Sequence, residues 1–345
     1  WNVKWSRRFR IMAIPTGAVR YNTDSNKMEV YIGSAWMEVA VSSPNLDGGA
    51  RAIRAGGQVG GSPYPRTDTM DFVTISTAGN ATDFGNLTQV KFGPAGAGSK
   101  TRAVFMAGGT PSRLSEIDFV TFSSTGDAAD FGDMTVARAA GGDAGLSNET
   151  RALLASGSTP SSDENDTIDF ITIASTGNGV DFGNLSQACS GVLANGSSTR
   201  GIFAGGSFLP AYAYRTTIDI VTIASTGNAQ DSGSDLTFAN SGNSCSNSIR
   251  SLFQVAAGDN RQIETVTIAT LGNSSNFGTL TQDNDGGVFG TNSPTRGLFG
   301  IKTPSSGTNI IEYISMSTGG TAVDFGDLTQ LITNSSAASN AHGGL

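Results

Sequence analysis

The sequence predicts an all-β repeat protein, and three observations carry that prediction. No stretch of the 345 residues shows the 3.6-residue apolar period of an amphipathic helix. The chain contains 46 glycines and only 14% charged residues, and Ser, Thr, Asn and Asp fill much of the rest. Such residues favour turns and pleated surfaces over helix interiors. One pattern of short apolar runs also recurs six times along the chain.

Each copy of the repeat opens with an arginine, and successive arginines lie 46 to 51 residues apart. The six are Arg51, Arg102, Arg151, Arg200, Arg250 and Arg296. An acid recurs later in each copy, at Asp71, Asp118, Asp169, Asp219, Glu264 and Glu312. An Asp-Phe-Gly triplet starts at Asp83, Asp130, Asp181 and Asp324, becomes Asn276-Phe277-Gly278 and is lost at Asp231-Ser232-Gly233. The copies therefore start near residues 50, 101, 150, 199, 249 and 295 of a repeat region that spans 50–345.

One copy predicts four short antiparallel strands. Residues 202–204 form an apolar run that ends in Gly205-Gly206, as a buried strand does. Residues 171–173 alternate apolar and polar side chains, and Ser-Thr-Gly-Asn at 175–178 is typical of a hairpin turn. The Asp-Phe-Gly triplet starts the third strand, and a Gly- and Ser-rich segment forms the fourth.

Four strands in about 49 residues cannot bury both faces of their sheet alone, so neighbouring sheets must stack. This period favours a six-bladed β-propeller over a linear β-solenoid, whose rungs are usually shorter. The first copy lacks the segment that precedes the other arginines, and residues 330–345 are surplus. We therefore expect this tail to supply the missing strand of the first blade and close the ring, which removes exposed sheet edges.

The repeats resemble those of the Kelch family of propellers. The resemblance rests on glycine pairs at Gly56-Gly57, Gly108-Gly109 and Gly205-Gly206, and on the triplet Phe, which falls where Kelch repeats usually carry Trp. The Kelch Tyr is absent and the glycine pair decays in copies three, five and six. The likeness spans 50–345 and implies the architecture, not an activity.

The N-terminal region differs in composition from the repeats. Residues 1–14 read as an arm whose basic cluster is solvated or docks elsewhere, and either Met12 is the natural start or the residues before it remain from a processed precursor. Residues 15–41 predict a three-strand β-meander that is too small to be stable alone. It must pack on the propeller, on a partner or on copies of itself.

The meander resembles a short module of phage tail-fibre and virion appendage proteins. The pattern consists of Gly17, Arg20, Tyr21, Asn22, Glu29, Tyr31, Gly33 and Trp36. The resemblance implies an attachment or trimerisation role, carried here by Arg20, Tyr21, Tyr31 and Trp36. Together with the repeats, it implies a virion structural protein that is a homo-oligomer, a trimer by analogy, and that contacts other virion proteins.

Charge and composition exclude several classes of function. A net charge of −8 and a pI near 4.7 disfavour a nucleic-acid partner. No run approaches the roughly 18 apolar residues that cross a bilayer, so membrane insertion is not expected. The sole histidine is His342, and Cys189 and Cys245 form no CxxC pair, which disfavours metal and triad chemistry. We expect no enzyme activity, no cofactor and no metal.

The carboxylates could in principle supply chemistry, but their distribution favours structure. The repeated acids occupy equivalent places in every copy, so we expect them to accept hydrogen bonds from turn amides or from the repeated arginines. Asp127, Asp130 and Asp133 suggest either a calcium site or turn capping. Copy three has Asn178, Asp181 and Asn184 there, which favours capping.

The variable loop after the glycine pair is the best candidate for a binding site, because rigid scaffolds usually present recognition residues on loops. The candidates are Tyr64, Arg66, Phe208, Tyr212, Tyr214 and Arg215. The alternative is an ordinary loop whose aromatic residues pack on the next blade. The leading hypothesis is therefore a non-enzymatic virion protein, a fibre, appendage or capsid decoration that serves assembly or host contact. The second is a carbohydrate-binding propeller that recognises host surface polysaccharide.

Overall fold

A computed structural model describes residues 14–22, 27–38, 50–60, 64–140, 143–208, 213–237, 242–254, 260–303 and 306–345. The chain divides into two compact units, Trp1–Gly48 and Gly49–Leu345. Every regular element in the described ranges is a β-strand. Within those ranges, no helix has the length and apolarity needed to cross a membrane. The predicted arm, residues 1–14, falls outside the described residues except for Ile14.

The first unit contains the predicted meander. Its strands are β1 (Val19–Asn22), β2 (Lys27–Ile32) and β3 (Ala35–Glu38). They pair antiparallel in the order β1-β2-β3, with Tyr21 opposite Met28 and Tyr31 opposite Trp36.

The second unit contains 28 strands within the described residues. The first fourteen are β4 (Arg51–Ala55), β5 (Gln58–Val59), β6 (Thr69–Thr74), β7 (Thr82–Asn86), β8 (Ala95–Gly98), β9 (Arg102–Gly109), β10 (Arg113–Thr121), β11 (Ala129–Asp133), β12 (Gly145–Ser147), β13 (Arg151–Ala155), β14 (Asn165–Thr172), β15 (Val180–Cys189), β16 (Leu193–Gly196) and β17 (Arg200–Ala204). The others are β18 (Ser207–Phe208), β19 (Ala213–Tyr214), β20 (Thr217–Thr222), β21 (Gln230–Asp235), β22 (Ser244–Ser246), β23 (Arg250–Gln254), β24 (Gln262–Thr267), β25 (Ser275–Thr279), β26 (Gly290–Asn292), β27 (Arg296–Thr303), β28 (Ser306–Ser315), β29 (Gly320–Thr321), β30 (Val323–Thr333) and β31 (Ser336–Ser339).

Each copy of the repeat forms one antiparallel sheet of four main strands, and we number the sheets 1 to 6 by copy. The orders are β31-β4-β6-β7, β8-β9-β10-β11, β12-β13-β14-β15, β16-β17-β20-β21, β22-β23-β24-β25 and β26-β27-β28-β30. Two short strands extend the last two sheets: β29 pairs parallel with β25, and β5 pairs with β30. The predicted four strands per copy are therefore present.

The C-terminal segment supplies the first strand of sheet 1. Strand β31 pairs with β4, with Ser336 opposite Ala55 and Ser339 opposite Ala52. The prediction that the surplus tail completes the first copy is confirmed. Sheet 1 thereby combines strands that are almost the whole length of the unit apart in sequence.

The first strands of neighbouring sheets contact one another. These contacts join β8 to β12, β12 to β16, β16 to β22, β22 to β26, β26 to β31 and β31 to β8. Apolar side chains fill the space between successive sheets. Between sheets 1 and 2, for example, Phe84 and Leu87 pack with Phe105 and Phe122. The core is therefore divided among the sheet interfaces.

The repeated arginines link each sheet to the next. Five of the six guanidinium groups donate from Nη1 to a backbone carbonyl oxygen of the following sheet: Arg51 to Phe122 (2.8 Å), Arg102 to Ile173 (3.1 Å), Arg151 to Ile223 (2.9 Å), Arg200 to Ile268 (2.6 Å) and Arg296 to Ile75 (3.0 Å). The expectation that these arginines bond to the repeated acids is wrong. They lie at the start of the second strand, within reach of the neighbouring sheet rather than of the acid.

The repeated acids accept hydrogen bonds from hydroxyl groups that lie in, or just after, the fourth strand of the preceding sheet. Thr88 Oγ1 lies 2.5 Å from Asp118, Thr135 Oγ1 lies 2.5 Å from Asp169, and Ser186 Oγ lies 2.7 Å from Asp219. Four of the acids also have a buried cation, in the pairs Arg54–Asp71, Lys91–Asp118, Arg138–Asp169 and Arg215–Asp219. Backbone amides also donate to three of the acids, as predicted: Ser186 N–H to Asp219 (3.1 Å), Thr237 N–H to Glu264 (3.1 Å) and Thr281 N–H to Glu312 (2.9 Å).

Candidate functional site

The variable loops connect the second and third main strands of each sheet. In sheets 1 and 2 these loops meet at Phe92, which lies in the segment that joins the two sheets. Its backbone pairs with Gly109, with an N–H···O distance of 2.8 Å in each direction. A Cβ atom at Gly109 would lie 2.6 Å from the Phe92 ring. Gly109, the second glycine of the predicted pair, therefore leaves the space that the Phe92 ring occupies.

Two arginines lie against the Phe92 ring. The guanidinium carbon of Arg66 is 4.9 Å from the ring centroid, and that of Arg113 is 5.6 Å away. Arg66 comes from the loop of sheet 1, and Arg113 opens β10 in sheet 2. We call Arg66, Phe92 and Arg113 the arginine–phenylalanine cluster. Stacking on one ring holds two flat cations close together at the loop end of the sheets.

Neither arginine of the arginine–phenylalanine cluster has an ion-pair partner among the described residues. The Nε atom of Arg66 is buried and has no hydrogen-bond partner there. Because guanidinium groups bind carboxylate and sulfate groups through paired N–H donors, the cluster suits an anionic ligand.

Tyr64 extends this surface. Its side chain is 47% exposed, and its backbone has a positive φ of 54°. That conformation is uncommon for a residue other than glycine. Tyr64 lies two residues before Arg66 in the sequence, so it belongs to the same loop of sheet 1.

The loop of sheet 4 forms a separate surface. Strands β18 and β19 pair as a small hairpin, in which Phe208 is half-buried against the core and Tyr214 is 48% exposed. Tyr212 lies outside the described residues. This hairpin comes from the loop of sheet 4, whereas the arginine–phenylalanine cluster comes from sheets 1 and 2, so we treat them as two surfaces.

Arg215 does not belong to either surface. It is buried, and its Nη2 atom lies 2.7 Å from Asp219 Oδ2 and 2.8 Å from Ser186 Oγ. Cys189 Sγ lies 3.7 Å from Nη1. The guanidinium is the cation of the buried pair in sheet 4, which removes it from ligand contact.

The four predicted attachment residues lie on the meander of the first unit. Arg20 stacks on the Trp36 ring at 4.2 Å and forms an ion pair with Glu29 at 2.7 Å. The Tyr31 and Trp36 rings meet edge to face at 5.3 Å. Tyr21 is 55% exposed. Three of the four side chains thus support one another across the sheet, and the fourth faces outwards.

The three candidate calcium ligands accept hydrogen bonds within the protein, and Asp130 caps a local turn. Asp127 Oδ1 accepts the backbone N–H of Asn86 at 3.0 Å, and Asp130 Oδ1 accepts that of Gly132 at 3.0 Å. Asp133 accepts from the hydroxyl of Ser115 at 2.8 Å. In the described part of the chain, no group of three His, Cys, Asp or Glu side chains could hold a metal ion.

A cavity of about 60 Å³ lies between the first strands of all six sheets. His342 lines it, with Nε2 at 2.8 Å from the Gly98 carbonyl oxygen and 3.1 Å from Ser147 Oγ. Asp143, just before β12, accepts the Ser244 backbone N–H at 2.8 Å. Burial lowers the pKa of His342 to about 4 and raises the pKa of Asp143 to about 7. His342 thus links sheets 2 and 3, and Asp143 links the segment before sheet 3 to sheet 5.

No family model matches this chain, and no curated protein matches it either.

Phe92 is the site residue that sequence reasoning missed. Copies two and three carry Ala139 and Ser190 at the equivalent place, each in the same type of backbone bridge. The sequence did contain one signal for this site, because Phe92 is aromatic where copies two and three carry small residues. Its significance depended on two loops from different sheets, whose meeting the sequence does not show.

Proposed function

We propose that this chain is a non-enzymatic recognition protein of a virion, with a closed six-bladed β-propeller that presents its variable loops to the host surface. Closure of the ring is supported by the contact between β31 and β8 and by the bond from Arg296 to Ile75, which link the last sheet to the first. A closed ring is a rigid scaffold for loops.

The observation that carries the recognition role is the arginine–phenylalanine cluster. The repeated acids are engaged in bonds between strands and sheets, whereas the cluster keeps two cations without partners at the loop end. Stacking on Phe92 stabilises the two cations, but it leaves their N–H donors available to an anion. We propose that an anionic ligand uses these donors.

The virion assignment rests on the meander. Its resemblance to phage attachment modules agrees with a surface on which Tyr21, Ile32 and Met37 are each more than half exposed. Small sheets of this kind need a second surface to cover them. We propose that another virion protein, or another copy of the chain in a homo-oligomer, covers this one.

Immunogold electron microscopy of purified particles tests the virion assignment. Antibody raised against residues 50–345 should label one fixed place on each particle. Protein that is present in the lysate, with unlabelled intact particles, would contradict the assignment.

A second candidate function, carbohydrate binding, is favoured by the same cluster because uronic acid and sulfated sugars are anionic. An array of acidic and neutral polysaccharides tests it. We expect binding to acidic polysaccharides only, with a loss of at least tenfold in R113Q. The K100Q variant is the matched control, since Lys100 is an exposed cation in a turn between two strands. Equal loss in both variants would show a net-charge effect and overturn the candidate.

A further inference from the structure

Sheet 4 departs from the aromatic pattern of the repeat. In four copies a ring follows the repeated acid and meets the triplet Phe edge to face, with centroids 5.7 to 6.0 Å apart. The pairs are Phe72–Phe84, Phe119–Phe131, Phe170–Phe182 and Tyr313–Phe325. In copy four Ile220 and Ser232 occupy these positions, so both rings are missing.

The missing rings leave the Arg200 guanidinium without an aromatic partner. The other five repeated arginines lie over a ring of their own sheet, at 4.6 to 5.1 Å from its centroid. Among the described residues, no ring takes that place at Arg200. Its Nη1 atom is still held by the carbonyl oxygens of Ile268 (2.6 Å) and Ala269 (2.9 Å), so the guanidinium is fixed in position.

A groove lies at this place. It has a volume of about 360 Å³ and is lined by Arg200, the segment 220–222, the turn at 225–228, Gln230 and, from sheet 3, Phe182. We call it the Arg200 groove. Ile220 and Phe182 provide apolar walls, while the hydroxyl and amide groups of Thr222, Gln230 and the turn provide hydrogen-bonding partners. Thr222 and Gln230 are exposed, so the groove is open to solvent.

We propose that the Arg200 groove binds a tyrosine side chain of a partner protein. The fold itself places a ring against the equivalent arginine in five copies, and in copy six that ring is Tyr313. A ring from outside would stack on the fixed guanidinium, and its hydroxyl would reach the polar rim. An aromatic ring fits this geometry better than a sugar, because a guanidinium attracts the electron-rich face of a π system. This site is independent of the arginine–phenylalanine cluster.

Ligand-observed saturation-transfer NMR with N-acetyltyrosinamide tests the proposal on the full chain. We expect transfer to the ring protons in the parent protein and a loss of at least fivefold in T222W, in which the indole fills the groove. T172W is the matched control, since Thr172 is the exposed residue at the equivalent place in sheet 3, where Phe170 and Phe182 are present. It should bind like the parent. Equal transfer in T222W and the parent would overturn the proposal, as would transfer to methyl glucoside but not to the tyrosine probe.

The double variant I220F/S232F provides a second measurement. It restores both rings of the repeat, so it should abolish binding of the probe and raise Tm by several degrees. A fall in Tm would show that no space for a ring exists beside Arg200, which would also overturn the proposal. If the tyrosine probe binds but the virion assignment fails, the groove remains a partner site and only the identity of the partner changes.

Discussion

Among single residues, the buried ion pairs have the largest expected effect on stability. Arg138 and Asp169 are both fully buried, and Arg138 also donates to the Leu154 carbonyl oxygen at 3.0 Å. Removing one member leaves the other charge buried without a partner, which is more costly than replacing both with apolar residues.

We expect D169N to lower the free energy of unfolding by about 3 kcal/mol. The double variant R138M/D169L should recover most of that loss, because no charge is then left unpaired. Urea unfolding measures both. The matched control is E264Q in sheet 5, where the acid bonds to Ser274 Oγ (2.5 Å) and the Thr237 N–H (3.1 Å) instead of a cation. E264Q should cost about 1 kcal/mol, and an equal cost in D169N would contradict the argument.

Asp143 and His342 make the stability of the folded protein depend on pH in opposite directions. The pKa of Asp143 is about 7 in the folded protein against 3.8 ordinarily, so its contribution to stability falls as the pH rises from about 4 to 7. The pKa of His342 is about 4 against 6.5, so its contribution is complete above pH 6.5 and is lost as the pH falls towards 4. Burial is the main cause of both shifts.

We therefore expect D143N to be more stable than the parent at pH 8, by about 2–4 kcal/mol, and to differ little at pH 4. The Asn side chain keeps an oxygen for the Ser244 N–H and carries no charge to desolvate. Urea unfolding at the two pH values measures this. H342Q is the companion variant and should reduce the stability change between pH 6.5 and 4. A D143N protein with the parent's pH profile would show that Asp143 titrates normally.

For strands and turns, the contact between the triplet glycine and the turn of the next sheet is central. Gly132 has a φ of 141°, and a Cβ there would lie 2.6 Å from the backbone of Gly177. The Gly177 N–H donates to the Phe131 carbonyl oxygen at 2.8 Å. The Asp-Phe-Gly triplet thus needs its glycine because another backbone passes directly beside it.

We expect G132A to lower the free energy of unfolding by about 2–4 kcal/mol, through strain and the clash with Gly177. Gly126 serves as the control, since its φ is 155° and nothing lies within 4 Å of a Cβ built there. G126A should cost about 1 kcal/mol. Thermal unfolding of both variants distinguishes the clash with Gly177 from the strain of a positive φ. Equal losses of stability in G132A and G126A would contradict a role for the clash.

At the scale of the whole molecule, we expect folding of the second unit to depend on β31, because this strand completes sheet 1. Removal of residues 336–345 would leave sheet 1 with an open edge at β4 and expose apolar residues of the first strands. We expect that truncated chain to aggregate, because unpaired edges template association. Light scattering and circular dichroism measure this. A chain that lacks only 341–345 keeps β31 and should stay folded. If the longer truncation is also monomeric and folded, β31 is not required.

Local chemistry was enough to predict the repeat, the four strands per copy and the meander. Alternation of apolar and polar residues, glycine pairs and Ser-Thr-Gly-Asn turns act over a few residues, so they can be read in the sequence. The C-terminal strand could also be predicted, because a missing segment at one end and a surplus at the other can be counted.

The sites depended on contacts between sheets. The sequence identified Arg66 but not its ring, because Phe92 and Arg113 reach it from another part of the chain. It grouped Arg215 with Tyr214, although burial and Asp219 assign Arg215 to the core. Nor could it show that Ile220 and Ser232 leave a groove beside Arg200. Strand identity is a local property of the chain, whereas the partner of a charge is decided by which sheets pack together.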